Sequence, residues 1–135
     1  MPLTTTPATS PACRLLLIDD EPLVTSALRR ALGPDYQTLA LSDARQALQL
    51  LAQDAAFDAI LCDLRMPGMD GLAFHAELAR RHPALAERVL FLSGASDLGQ
   101  GGGARARLPE GRFLQKPFDL EHLRAAVREL THPTH

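Results

Sequence analysis

Lysine occurs once in this chain of 135 residues, against thirteen arginines, and cysteine only twice. Two cysteines cannot make a disulfide scaffold. Cys13 opens one apolar run and Cys62 closes another, so on neighbouring parallel strands they would lie at opposite ends, on the order of 15 Å apart and beyond disulfide reach. They read as small reduced core residues, which fits a cytoplasmic protein. No apolar run is long enough to span a bilayer. No positively charged start followed by an apolar stretch announces a signal peptide. The formal net charge is -2, so there is no basic excess to attract nucleic acid directly. No internal repeat is visible either. What remains is a chain that is 46% hydrophobic and 22% charged, suited to one domain with a substantial core.

The stretch FDAILCDLRMPGMDG, residues 57–71, organises the rest. Ala59-Ile60-Leu61-Cys62 is too short for a helix and has no polar interruption, as suits a strand covered on both faces in a parallel sheet. The run stops at Asp63, where the strand leaves the core. Pro67-Gly68 forces a turn, and Asp70 stands at the N-cap position before a helix over 72–81. In open parallel sheets the ligand crevice lies outside the carboxyl ends of the strands, and Asp63 would project into it. A lone Asp in such a place is more often a turn residue, so its weight depends on its neighbours.

The order of the chain supplies them. A polar stretch rich in Thr and Pro, residues 1–12, reads as a flexible tail or linker. Leu15-Leu16-Leu17-Ile18 reads as a buried strand ending in Asp19-Asp20-Glu21. Pro22 suits the first turn of a helix whose apolar face is Val24, Leu28, Ala31 and Leu32, stopped by Gly33-Pro34. Residues 36–40 form a plausible edge strand, followed by a helix over 43–53 with Ala44, Ala47, Leu48 and Leu51 inward. The Asp63 strand and its helix follow, closed by His82-Pro83. Val89-Leu90-Phe91-Leu92 is another buried strand, ending at Ser93-Gly94. Glycines at 99 and 101–103 argue against a stable fourth helix, so residues 97–108 are expected to be the most mobile part of the domain. A short strand over 112–115 leads to Lys116-Pro117, and Asp119 caps a last helix with Leu120, Leu123, Val127 and Leu130 inward. Strand and helix alternate five times, which predicts an α/β fold with a five-stranded parallel sheet and helices on both faces.

Asp19, Asp20, Asp63, Ser93 and Lys116 then gather on one rim. Neighbouring carboxylates repel unless something positive sits between them, and Mg2+ is the natural cation because it takes oxygen ligands and keeps several waters. A metal, a carboxylate and a lysine together could neutralise an incoming phosphoryl group, and Ser93 could donate a hydrogen bond to it. Everywhere else the chain places Arg where it needs a cation. Keeping Lys at 116 points to a site that needs a compact ammonium rather than a planar fork, although one surface lysine can also survive by chance.

IDDEP at 18–22, LCDLRMPGMDG at 61–71, SGAS at 93–96 and FLQKPF at 113–118 resemble the receiver domain of two-component response regulators. The DDEP start and FLQKPF end most resemble the receivers of hybrid sensor histidine kinases. The resemblance covers residues 13–131, leaving 132–135 as a tail. It implies a flavodoxin-like, doubly wound sheet of strand order 2-1-3-4-5 with a short or irregular fourth helix. It implies phosphorylation on Asp63, with Asp19, Asp20, Asp63 and the backbone carbonyl of Arg65 holding Mg2+. Ser93 and Lys116 would contact the phosphoryl group, Phe113 would be the switch aromatic, and Lys116-Pro117 would be a cis peptide. It implies a histidine kinase or histidine phosphotransfer protein as donor, a downstream effector as output, no catalytic activity of its own, and room for a homodimer. Past Glu129 nothing reads as a DNA-binding or catalytic domain, so the output is expected to pass through a partner.

The departures are Ser93 in place of the commoner Thr, and Phe113 in place of the commoner Tyr, whose ring cannot hydrogen-bond at its tip. Arg65 and Ala95, two residues beyond the phosphoacceptor and the hydroxyl, offer no group to hold an attacking water. Two other classes compete. A phosphatase of the haloacid dehalogenase type would need a second Asp two residues after the first, where Arg65 stands. A docking module with this fold but no phosphorylation would leave the acidic cluster, Ser93 and Lys116 unexplained. His75, His82, His122, His132 and His135 show no metal-site spacing and read as exposed. Arg105, Arg107 and Arg112 read as a solvated basic patch.

Overall fold

The structure is a computed structural model that describes residues 13–94 and 113–131. The expected tails at 1–12 and 132–135, the glycine-rich segment with its doubtful helix, Ala95, Arg105, Arg107, Arg112, His132 and His135 lie outside the described residues.

The described chain runs β1 (Cys13–Ile18), α1 (Pro22–Leu32), a 3-10 turn (Gly33–Asp35), β2 (Tyr36–Leu41), α2 (Ala44–Gln53) and β3 (Ala59–Asp63). It continues with α3 (Gly71–Arg81), α4 (Pro83–Ala86), β4 (Val89–Ser93), β5 (Phe113–Gln115) and α5 (Leu120–Thr131). The five strands form one sheet in the order β2-β1-β3-β4-β5, and every pairing is parallel. That is the order 2-1-3-4-5, with β2 at an edge.

Strand residues alternate between the two faces, and each face has its own core. Leu16, Ile18, Ile60, Cys62, Val89 and Phe91 pack with α2 and α3 through Ala47, Leu51, Phe74 and Leu78. Leu15, Leu17, Ala59, Leu61, Leu90 and Leu92 pack with α1 and α5 through Leu28, Leu32, Leu123 and Val127. With both faces covered, β3 and β4 are buried at all five positions, as their unbroken apolar runs predict.

Two helix starts carry a side-chain cap. Asp43 accepts a hydrogen bond from the Arg45 N–H at the head of α2, and Asp70 accepts one from the Ala73 N–H at the head of α3. Four details differ from the sequence expectation. His82-Pro83 does not simply end α3, because Pro83 opens the one-turn helix α4. In α1 Thr25 is buried and Val24 only half-buried; Thr25 can go inside because its Oγ donates to the Pro22 carbonyl at 3.1 Å. Leu120 is 49% exposed, at the very start of α5. His75 and His82 are half-buried rather than exposed; the His75 ring nitrogen lies 2.9 Å from the Ala86 carbonyl and its ring is edge-on to Phe91 at 5.5 Å.

Candidate functional site

Register decides what meets at the carboxyl rim. Ile18 pairs with Cys62, so the next residues, Asp19 and Asp63, leave β1 and β3 side by side. Asp63 pairs with Leu92, and Ser93 with Gln115, which brings Ser93 and Lys116 to the same rim. Asp19, Asp20 and Asp63 each place a carboxylate oxygen within 4.8 Å of the others; Asp19 and Asp63 are buried and Asp20 is exposed. Two buried carboxylates and one facing solvent suit a hard divalent cation that keeps part of its water shell.

Lys116 is the cation of the cluster. Its Nζ donates to Asp19 Oδ2 at 3.1 Å and lies 3.4 Å from Asp63 Oδ1. Its backbone N–H donates to the Ser93 carbonyl at 2.7 Å, which ties β5 to the end of β4, and the Lys116-Pro117 peptide is cis. The other Asp19 oxygen accepts the Glu21 N–H at 3.0 Å, so that carboxylate is held at both ends.

Charge in this site is out of balance. Burial pushes the Asp63 carboxyl up from 3.8 to about 6, and the Asp19 charge adds to the rise. Lys116 and the Arg65 backbone N–H pull the other way without cancelling it. Burial disfavours the Lys116 ammonium too, but Asp19 and Asp63 outweigh it and raise its pKa. Ser93 is fully buried, and its Oγ has no hydrogen-bond partner among the described residues. A buried hydroxyl left unpaired is costly and calls for a ligand or a function. It fits an acceptor that arrives later, as a phosphoryl oxygen would.

Phe113 is half-buried at the start of β5, packed against the core on the α2 and α3 side. The side chain of Arg65 is exposed. One participant escaped the sequence reading. The Cys62 Sγ lies 3.3 Å from the Asp63 backbone carbonyl, and burial pushes its thiol well up, so it stays a protonated donor. Its place beside Asp63 was visible; its direction was not, because facing is set by register.

Curated proteins and solved structures share this frame. The chain is 35% identical over 120 residues to the DNA-binding transcriptional regulator NtrC of Escherichia coli K12, covering 86% of this chain but 24% of NtrC. It is 33% identical over 122 residues to the transcriptional regulatory protein TcrA of Mycobacterium tuberculosis H37Rv, covering 87% of this chain and 46% of TcrA. The chain thus spans about a quarter to a half of the length of these relatives. Among solved structures, the signal receiver domain of an HD domain-containing protein from Pseudomonas fluorescens Pf-5 superposes with a TM-score of 0.75 at 30% identity, covering 89% of this chain and 94% of that one. The model of the response regulator receiver domain matches residues 15–128, and the chain belongs to that family, the receiver domains of two-component signalling.

Proposed function

We propose that Asp63 is the phosphoacceptor of this receiver, and that Asp19, Asp20, Asp63 and the backbone carbonyl of Arg65 hold the Mg2+ that transfer requires. The observation that carries the reading is the convergence on a single strand rim of three carboxylates, one ammonium and a buried hydroxyl with no partner among the described residues. An Asp63 carboxylate oxygen attacks the phosphorus of a phosphohistidine on a histidine kinase or phosphotransfer protein. The P–N bond breaks as the O–P bond forms, and the imidazole leaves with its electron pair. When bound, Mg2+ neutralises charge shared between the carboxylates and the phosphoryl oxygens. Lys116 stands 3.4 Å from Asp63 and can move its ion pair onto the phosphoryl group. Ser93, whose Oγ has no partner among the described residues, supplies a hydrogen bond, and Phe113 moves in response.

The domain spans residues 13–131 and works in the cytoplasm. Its output goes to a downstream effector rather than to nucleic acid directly, and it catalyses no reaction on a further substrate. Labelling by a small phosphodonor or a histidine kinase tests the reading. Phosphate should appear on the wild-type chain only with Mg2+ and vanish in Asp63→Ala. Labelling that survives EDTA or that substitution would overturn it.

A further inference from the structure

Gly71, the first residue of α3, sits where no side chain fits. A Cβ built there would lie 2.6 Å from the Asp63 carbonyl oxygen, 2.9 Å from the Leu64 Cα and 3.3 Å from the Asp63 carbonyl carbon. All three are backbone atoms, so no flexible tip can swing aside. Gly68, four residues after Leu64, is glycine for a different reason: its φ is 81° and nothing lies within 4 Å of its Cβ position. The need at Gly71 is for closeness.

That closeness fixes a segment the proposed site depends on. The Gly71 N–H donates to the Leu64 carbonyl at 2.9 Å, and the Leu64 N–H donates to the Leu92 carbonyl at 2.9 Å. Residues 64–71 therefore form a loop closed at its base on the end of the sheet, with Arg65 inside it. The Asp63 carbonyl is held from within the core by the Cys62 thiol and meets the head of α3 from the other side. The helix cannot retreat easily, because Phe74 and Leu78 are fully buried and Asp70 caps its first turn.

We propose that Gly71 is a positioning residue for the metal and phosphoryl site. By letting α3 begin in contact with the Asp63–Leu64 peptide, it sets how the Asp63 carboxylate and the Arg65 carbonyl face Asp19 and Asp20. The inference rests on the Mg2+ reading given above. Its rival is a glycine that serves only the packing of α3. The two differ in metal affinity at equal stability.

The full chain is titrated with Mg2+ alone, by calorimetry or by amide chemical shifts, and melted without metal. Gly71→Ala should remain folded by circular dichroism and bind Mg2+ about tenfold or more weakly, the usual scale for losing a group that orients metal ligands. Asp70→Ala removes the cap of α3 without adding a clash. It should also weaken Mg2+ binding, whereas Asp43→Ala, the same loss at α2, should not. Asp70→Asn keeps a capping side chain, removes the same charge, and should bind like wild type. Wild-type affinity in Gly71→Ala overturns the proposal. If that variant does not fold, equal affinity in Asp70→Ala and Asp43→Ala overturns it instead. A wild-type chain that binds no Mg2+ would refute the site reading itself, and this inference with it.

Discussion

At the amino end of the sheet the polar groups find hydrogen-bond partners; at the carboxyl end, among the described residues, not all of them do. Arg14, near the start of β1, donates from its guanidinium to both oxygens of Asp54, at 3.3 and 3.1 Å, and to the Ala56 carbonyl at 2.8 Å. The same guanidinium lies over the Phe57 ring at 4.3 Å. The Arg14 N–H donates to an Asp58 carboxylate oxygen at 2.8 Å, and the Asp58 N–H returns a bond to the Arg14 carbonyl at 2.8 Å. Asp54 is accordingly held below the usual carboxylate range, chiefly by its Arg14 hydrogen bonds. At the other end Asp63 is pushed up, and Ser93 has no partner among the described residues. One end closes the fold; the other, on the proposed reading, is completed by metal and phosphoryl group. Polar groups of the same kinds thus serve stability where they are matched and function where they are not.

The largest effect expected from disturbing this contrast is at Lys116. Lys116→Arg keeps the charge, yet a wider guanidinium cannot take an ammonium's place beside both Asp63 and the phosphoryl group. The spectral response to beryllofluoride, a phosphoryl mimic, should be lost or strongly reduced. A response like that of the wild type would show that charge alone is enough.

Next comes Asp63 in the metal-free protein. Because its folded pKa is raised from 3.8 to about 6, the folded state holds this proton more tightly than the unfolded chain does. Its contribution is therefore favourable at low pH and declines as pH rises through that window. Lys116 titrates far above the window and leaves the sign unchanged. Asp63→Asn removes the penalty and should stabilise the metal-free protein by about 2 kcal/mol at pH 7, with little gain at pH 4. Urea denaturation at the two pH values measures the difference. A gain that does not depend on pH would rule out this account.

Arg14→Ala tests the matched end. The Arg14 and Asp54 side chains are 34% and 42% exposed, so their ion pair alone contributes little. Adding the contact with Phe57 and the packed stem, the loss should be about 1–2 kcal/mol. Phosphorylation of the folded variant should be unchanged. If phosphate incorporation fell while the protein stayed folded, the two ends would not be independent.

Much of this was legible because a parallel sheet writes itself plainly. Strands buried on both faces appear as apolar runs, and each run stops at the residue that reaches the rim: Asp19, Asp63, Ser93. The lone Lys116 stood out against thirteen arginines. What escaped depends on contacts between segments distant in sequence. His75 reads as an exposed helix residue until Phe91 and the Ala86 carbonyl are placed beside it. Nothing in the sequence marks Arg14, whose partners appear only when the residues before β3 fold back onto it. The four residues of α4 are too few to show a period, and Pro83 signals a helix start as readily as a stop. Leu120 fits the spacing of an inward face, but the first residue of a helix has no neighbour before it to close that face.

The smallest expected effect is the one whose sign says most. Ser93 and Thr25 are both buried hydroxyls, but Thr25 donates to the Pro22 carbonyl while the Ser93 Oγ has no partner among the described residues. A satisfied buried hydroxyl is worth about 1 kcal/mol, whereas an unsatisfied one costs about 1–3 kcal/mol. Thr25→Val should therefore destabilise the metal-free protein by about 1 kcal/mol. Ser93→Ala, which deletes only one atom and leaves a small void, should stabilise it by up to about 1 kcal/mol. With beryllofluoride bound the order should reverse, because on the proposed reading Ser93→Ala then loses a hydrogen bond to the mimic. Affinity for the mimic should fall about tenfold, equivalent to about 1.4 kcal/mol. Thr25→Val should leave that affinity unchanged. Denaturant unfolding without ligand and titration with the mimic give the two signs separately. If Ser93→Ala lost stability in the first measurement, its hydroxyl would already have a partner; if it kept full affinity in the second, Ser93 would not be reserved for the phosphoryl group.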